Sequence, residues 1–333
     1  MFLGELNRLS FSSPGAATFT VVHAGVVIFE NTYYPDEDGM ITVHELADVL
    51  EPYIQEIFAD FSFEIAGASA GTVRVFYCSW SMAARAMTFL DSSFLSPMTG
   101  IRRTHTSRYE TLSLYCNYSE AVTVECRYFD GGAIGTKTVS LGGAQGARML
   151  NVSSARFLDP SRGTLVGYTV KCGQRRAEYM VLPYMPDLSD AFIFRNSFNA
   201  WETLYLVGSR ETDPQYSRST ANVNGYIRSY QIEEVISMTT YTGPLPDGME
   251  WITMALARSK AVFLLLENGD SGDEIHITDC DLKHTNDQTS EADLNFSYRN
   301  AAVKWRMADD RAARLSVPRP PRIFDDTFDE TYE

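Results

Sequence analysis

Gly67-Ala68-Ser69-Ala70-Gly71 matches GxSxG, the pattern that sets the nucleophile of a serine hydrolase on a strained strand-to-helix turn. That chemistry needs an acid and a histidine further along, and His276 or His284 could be the base. The flanks argue for another geometry. Phe61 to Ile65 and Thr72 to Tyr77 both read as strand, so the small residues are the turn of a hairpin. The strand–helix alternation of a hydrolase sheet is also missing, and Ser69 loses to the turn. Asp36, Asp38, Gly39, Ile41 and Glu45 take positions three, five, six, eight and twelve of an EF-hand loop. Position one falls on Tyr34, which offers no carboxylate. What remains is a weak calcium-like turn of Asp36, Asp38 and Glu45, and no metal site is expected.

The glycine-rich stretches 131–135 and 142–146 lack the Gly-Lys-Ser/Thr ending of a phosphate loop and a following helix, so both read as hairpin loops. The five histidines form neither HxH nor HExxH. The five cysteines include no CxxC pair, and their odd number leaves at least one thiol without an internal partner. Asn117, Asn151 and Asn295 open glycosylation sequons, which carry weight only in a secreted chain. Carboxylate pairs abound, but no motif places them for glycoside hydrolysis. Aromatic side chains are a further class: Trp80, Trp201, Tyr33, Tyr34, Tyr216 and Tyr241 could stack on sugar rings. Ordinary strand packing competes with that reading, since aromatics favour strands. The retained binding candidates are Trp80, Trp201, Tyr216 and Tyr241.

The elements that would position these residues are mainly strands. Val122, Val124, Cys126 and Tyr128 alternate with Thr123, Glu125 and Arg127, and the same period of two runs through 166–172, 275–277, 293–299 and 303–307. Such stretches are half-buried antiparallel strands. Asp130-Gly131-Gly132, Leu141-Gly142-Gly143, Asp159-Pro160, Asn224-Gly225 and Asn268-Gly269 punctuate them. Helical spacing predicts one helix over about 43–58, opened by a Thr42/Glu45 capping box and kinked at Pro52. A second is expected over about 248–257, capped by Asp247, and a weaker third over 81–90. Linker-like segments at 96–100 and 182–187 divide the chain into an N-terminal β domain (1–100), a middle β-sandwich of immunoglobulin-like size (101–187), a C-terminal β domain (188–315) and an acidic Pro-rich tail (316–333).

The 333-residue chain is long enough for two or three domains and has an ordinary apolar fraction, 44%. Its formal net charge of −15 excludes general nucleic-acid binding. The charge divides as −9, +4, −7 and −3 over the four segments, so a mildly basic middle lies between acidic neighbours. The longest apolar run, Ala261–Leu266, is too short for a membrane span. No secretory signal is visible at Met1–Pro14, and synthesis in a reducing cytoplasm is expected.

Two stretches carry a resemblance. Phe194-Arg195-Asn196-Ser197-Phe198-Asn199, Trp201 to Ser209, Ala221 to Gly225 and Asn295 to Arg299, together with Asp38-Gly39-Met40-Ile41-Thr42, resemble uncharacterised β-rich proteins encoded in prophage-like clusters of gut bacteria, tail or other virion components. The resemblance covers residues 20–60 and 190–310. It implies a structural role, with self-association or other virion proteins as partners and virion association as the location. It transfers no active site.

The expectation is a mainly β chain of multi-domain antiparallel β-sandwich or barrel-like modules with one or two short-to-medium helices. It is read as a non-enzymatic structural protein of a phage tail, without cofactors. The alternative is a carbohydrate- or surface-binding module using the aromatics named above, and the remote one is a serine hydrolase using Ser69.

Overall fold

The computed structural model describes residues 1–80, 85–184, 190–243, 245, 248–266, 269–286 and 297–308, with backbone alone at 223, 228, 230–233, 282–286 and 297–300. The tail 316–333, Asp247, Asn268, 293–296 and much of the segment 182–187 lie outside the described residues. Among the described residues the fold is mainly β, with three short α-helices and sheets that are antiparallel apart from one short parallel pairing. No helix among the described residues is long and apolar enough to cross a membrane.

The N-terminal part holds β1 (Arg8–Ser12), β2 (Ala17–His23), β3 (Val26–Tyr33), β4 (Met40–His44), α1 (Leu46–Leu50), β5 (Phe58–Ile65), β6 (Ala68–Phe76) and α2 (Ala86–Ser92). A four-stranded sheet of order β3-β2-β5-β6 packs against the β1-β4 pair and α1 over Phe19, Val21, Val43, Leu46, Leu50 and Phe61. The helix expected over 43–58 is much shorter. Thr42 and Val43 belong to β4, Glu45 is the N-cap in the left-handed region at φ 57°, and no capping box forms. Pro52 ends the helix instead of kinking it. It has no N–H for the Asp48 carbonyl, and the chain tightens into a 3-10 turn at Glu51–Tyr53. The third helix starts at Ala86, with 81–84 outside the described residues.

The middle part holds β7 (Arg102–Thr104), β8 (Thr111–Asp130), β9 (Ala133–Asn151), β10 (Thr164–Cys172) and β11 (Arg175–Val181). They form one five-stranded sheet, β7-β11-β10-β8-β9. The register of β8 on β9 breaks between Cys116 and Glu120, opposite Gly146 and Ala144. Gly142 and Gly146 take positive φ there, and such bulged, glycine-bearing ribbons bend. Leu112, Leu114 and Cys116 before the break therefore share a core with Val122, Val124 and Cys126 after it, and with Tyr168, Val170 and Tyr179. The sheet folds over its own apolar face around that shared core. The alternation read over 122–128 is realised residue by residue, buried at Val122, Val124, Cys126 and Tyr128 and only partly at the three between.

The C-terminal part holds β12 (Asp190–Arg195), β13 (Trp201–Leu206), β14 (Arg210–Val223), β15 (Tyr226–Tyr241), α3 (Met249–Ala257), β16 (Val262–Leu265), β17 (Ser271–Asn286) and β18 (Ser297–Met307). The sheet order is β13-β12-β16-β17-β18-β15-β14. Helix α3 lays Ile252, Ala255 and Leu256 on Phe192, Leu204, Val303 and Trp305. Its N-cap is Gly248, at φ 87°. Strand β15 pairs with β18 only over Met238–Tyr241, so the β14–β15 and β17–β18 ribbons overlap briefly and run past each other in opposite directions.

The three parts are sewn together. Phe2, Phe76, Leu90, Tyr115 and Phe198, drawn from all of them, form a fourth apolar core. The 96–100 segment is not a loose connection. Pro97 within it and Leu95 beside it are buried, and Ser96 Oγ donates to Glu202 Oε1 at 2.6 Å.

Candidate functional site

The residues singled out from the sequence end up far apart in role. Ser69 is an exposed residue of β6, paired with Glu64 just past a two-residue turn at Ala66-Gly67. That turn is the expected hairpin, without a strand-to-helix elbow. His276 lies on β17 in another sheet, and the side chain of His284 is outside the described residues. Asp36 Oδ1 accepts from the backbone N–H groups of Asp38 at 3.0 Å and Met40 at 2.8 Å, which makes it a turn former. Strand β4 then carries Glu45 away from it, so Asp36, Asp38 and Glu45 do not converge. Trp80 is partly buried against two cores and meets Trp251 edge-on at 5.3 Å. Tyr216 stands exposed on β14, Tyr241 closes β15 opposite Ala302, and Trp201 lines a cavity. The four aromatics occupy four separate places.

That cavity, about 460 Å³, lies where the turn after α1 meets the β12–β13 turn and the end of α3. The β12–β13 turn is the stretch Arg195 to Asn199. Asn196 uses its whole amide: Nδ2 donates to Leu95 O at 2.8 Å and Glu202 Oε2 at 2.7 Å, and Oδ1 accepts from the N–H groups of Phe198 and Ala200. Asn199, left-handed at φ 55°, reaches across to Glu56 O at 2.8 Å. So fastened, the turn presents Arg195, whose guanidinium lies 4.3 Å above the Trp201 ring and donates to Asn199 O at 2.7 Å. Burial pushes the Arg195 pKa down, against the pull of Glu56. Arg258, just past α3, and Lys260 stand on the same wall, and Lys260 pairs with Glu51 at 2.6 Å. Ser197 Oγ is buried and has no hydrogen-bond partner among the described residues. None of these cations was picked out from the sequence. The motif holding Arg195 was visible, but only as a family-like string, and nothing local shows that Arg258 and Lys260 meet it.

Two other clusters stand out. Cys116 Sγ lies 3.8 Å from Cys172 Sγ, which lies 3.7 Å from Glu120 Oε2, a metal-compatible grouping. Burial pushes Cys172 up to about 12, and Arg175 Nη1 already holds Glu120 at 2.9 Å, so the arrangement favours neutral packed thiols over thiolate ligands. Between the middle and C-terminal sheets, buried Arg102 pairs with buried Glu202. Beside them, Glu110 accepts from Thr104 Oγ1 at 2.8 Å and Thr203 Oγ1 at 3.3 Å, and burial raises its pKa despite Arg102 nearby. This network is a seam.

Several strongly exposed apolar groups lie at hairpin tips. Ala24-Gly25, Ala66-Gly67, Gly131-Gly132 and Asn224-Gly225 are two-residue turns with positive φ at both positions, the geometry that suits tight antiparallel ribbons. Three of these tips carry Val26 and Val27, Phe129 and Ile134, and Tyr226 and Ile227, with Ile227 79% and Ile134 66% exposed. The sequence matches no protein family and no curated protein.

Proposed function

We propose that this chain is a non-enzymatic assembly protein that works through protein–protein contacts, first with copies of itself. The observation that carries the reading is the set of hairpins whose tips expose Val26, Val27, Phe129, Ile134, Tyr226 and Ile227. A side chain such as Ile227 gains about 1.5–3 kcal/mol when covered, which gives each tip a reason to be covered. The outermost strand, β14, is protected from indiscriminate pairing by Pro214 and by Arg210, Glu211, Asp213 and Arg218. Contacts at the tips, with the ribbon edge guarded, suit ordered assembly over aggregation. A phage or prophage tail component is the specific form of this proposal, and its support is the resemblance carried by Phe194–Asn199 and the segments around it.

Analytical ultracentrifugation over a wide concentration range tests the reading. Wild type is expected to show concentration-dependent oligomers that Tyr226→Ser/Ile227→Ser and Ile134→Ser weaken with unchanged circular dichroism. A wild type that stays monomeric throughout sinks the proposal.

A further inference from the structure

We infer that the cavity walled by Arg195, Arg258 and Trp201 binds a small oxyanion, a carboxylate or phosphate carried on a ring-bearing molecule. The charge inventory supports this. Lys260 is matched by Glu51, but neither Arg195 nor Arg258 has a carboxylate within salt-bridge distance among the described residues. Arg195 is half-buried and uses one donor on Asn199 O. A guanidinium partly removed from water is costly to leave unmatched, and a planar oxyanion takes its remaining donors two at a time. The apolar side chains of Trp201 and Phe263 in the cavity wall suit a ring. The volume of about 460 Å³ fits one small molecule. A long polyanion is disfavoured, because the surrounding N- and C-terminal parts carry net charges of −9 and −7. The inference does not depend on the assembly reading, since no hairpin tip lines the cavity.

Calorimetry at fixed ionic strength, with tryptophan fluorescence alongside, tests it using glucuronate, glucose 6-phosphate and uncharged glucose as probes. Saturable binding of either anion, weakened about tenfold or more in Arg258→Ala, is the expected result. Arg258 is exposed and has no side-chain hydrogen bond among the described residues, so this variant keeps the fold. Arg148→Ala, an exposed cation on β9, is the control and should leave binding unchanged. The two anions tell a carboxylate site from a phosphate site. The inference is overturned if neither anion saturates, if glucose binds as tightly as both, or if Arg258→Ala weakens binding no more than Arg148→Ala.

Discussion

Glu202→Gln tests what joins the middle and C-terminal sheets. Glu202 is 2% exposed and accepts from Arg102 and Ser96 on Oε1 and from Asn196 on Oε2. Gln keeps the shape, removes the charge and turns one acceptor into a donor, which must then face Arg102 and Ser96 or Asn196. Arg102, itself 6% exposed, loses its only carboxylate in direct contact among the described residues. Glu110 is a poor substitute, because burial already raises its pKa. Breaking a buried ion pair from one side costs about 3–5 kcal/mol, a large part of the roughly 5–15 kcal/mol that holds a domain folded. Replacing both partners, Arg102→Met with Glu202→Leu, removes the stranded charge and should cost less than the sum of the single changes. Urea denaturation of the wild type, Arg102→Met, Glu202→Leu and the double variant supplies the cycle, with Glu202→Gln measured beside it. A loss below about 1 kcal/mol in Glu202→Gln, or additive effects in the double variant, would refute the reasoning.

Two further outcomes follow from local geometry. Ala66 sits at φ 51° in the β5–β6 turn, where a Cβ costs roughly 1–2 kcal/mol, so Ala66→Gly should gain about 0.5–1 kcal/mol by denaturation, and a loss would contradict the turn assignment. Asp159 is held down at about 2 by the Lys137 ammonium and then by Ser161. A depressed carboxyl contributes stability above its ordinary value of 3.8 that is lost as pH falls through about 2. Carboxyl ¹³C NMR should show that titration, and Lys137→Ala should move it back up toward the ordinary value.

Strands were legible wherever one face is buried and the other wet. Tyr128 and Val303 could be placed by alternation alone, because a period of two sends neighbours to opposite faces. The hairpin around Ser69 was legible for the same reason, reinforced by glycine. The helix over 43–58 misled because Val43 and Leu46 through Ile57 mix two patterns. Val43 is a strand residue whose burial depends on β1, and Leu46 and Leu50 on a single turn and a half of helix satisfy helical spacing equally well. Propensity could not separate them, since the pairing of β4 with β1 is non-local. The cavity escaped for a stronger reason. Arg195, Arg258 and Glu51 come from three separate stretches of chain, and no spacing rule joins them.

Local chemistry alone determined the class of this protein. Alternation, turn residues and the scarcity of long apolar helical stretches demand antiparallel sheets, because backbone sterics and face periodicity act within a few residues. The tertiary structure decided where the sheets stop being separate. It bent β8 at its bulge, buried Arg102 against Glu202, and packed Phe2, Phe76, Tyr115 and Phe198 into one shared core. It also turned the Arg195–Asn199 string into the wall of a cavity. Those outcomes depend on close packing and charge pairing between segments more than 200 residues apart in places, as in Lys260 with Glu51, 209 apart, and no local rule contains that information.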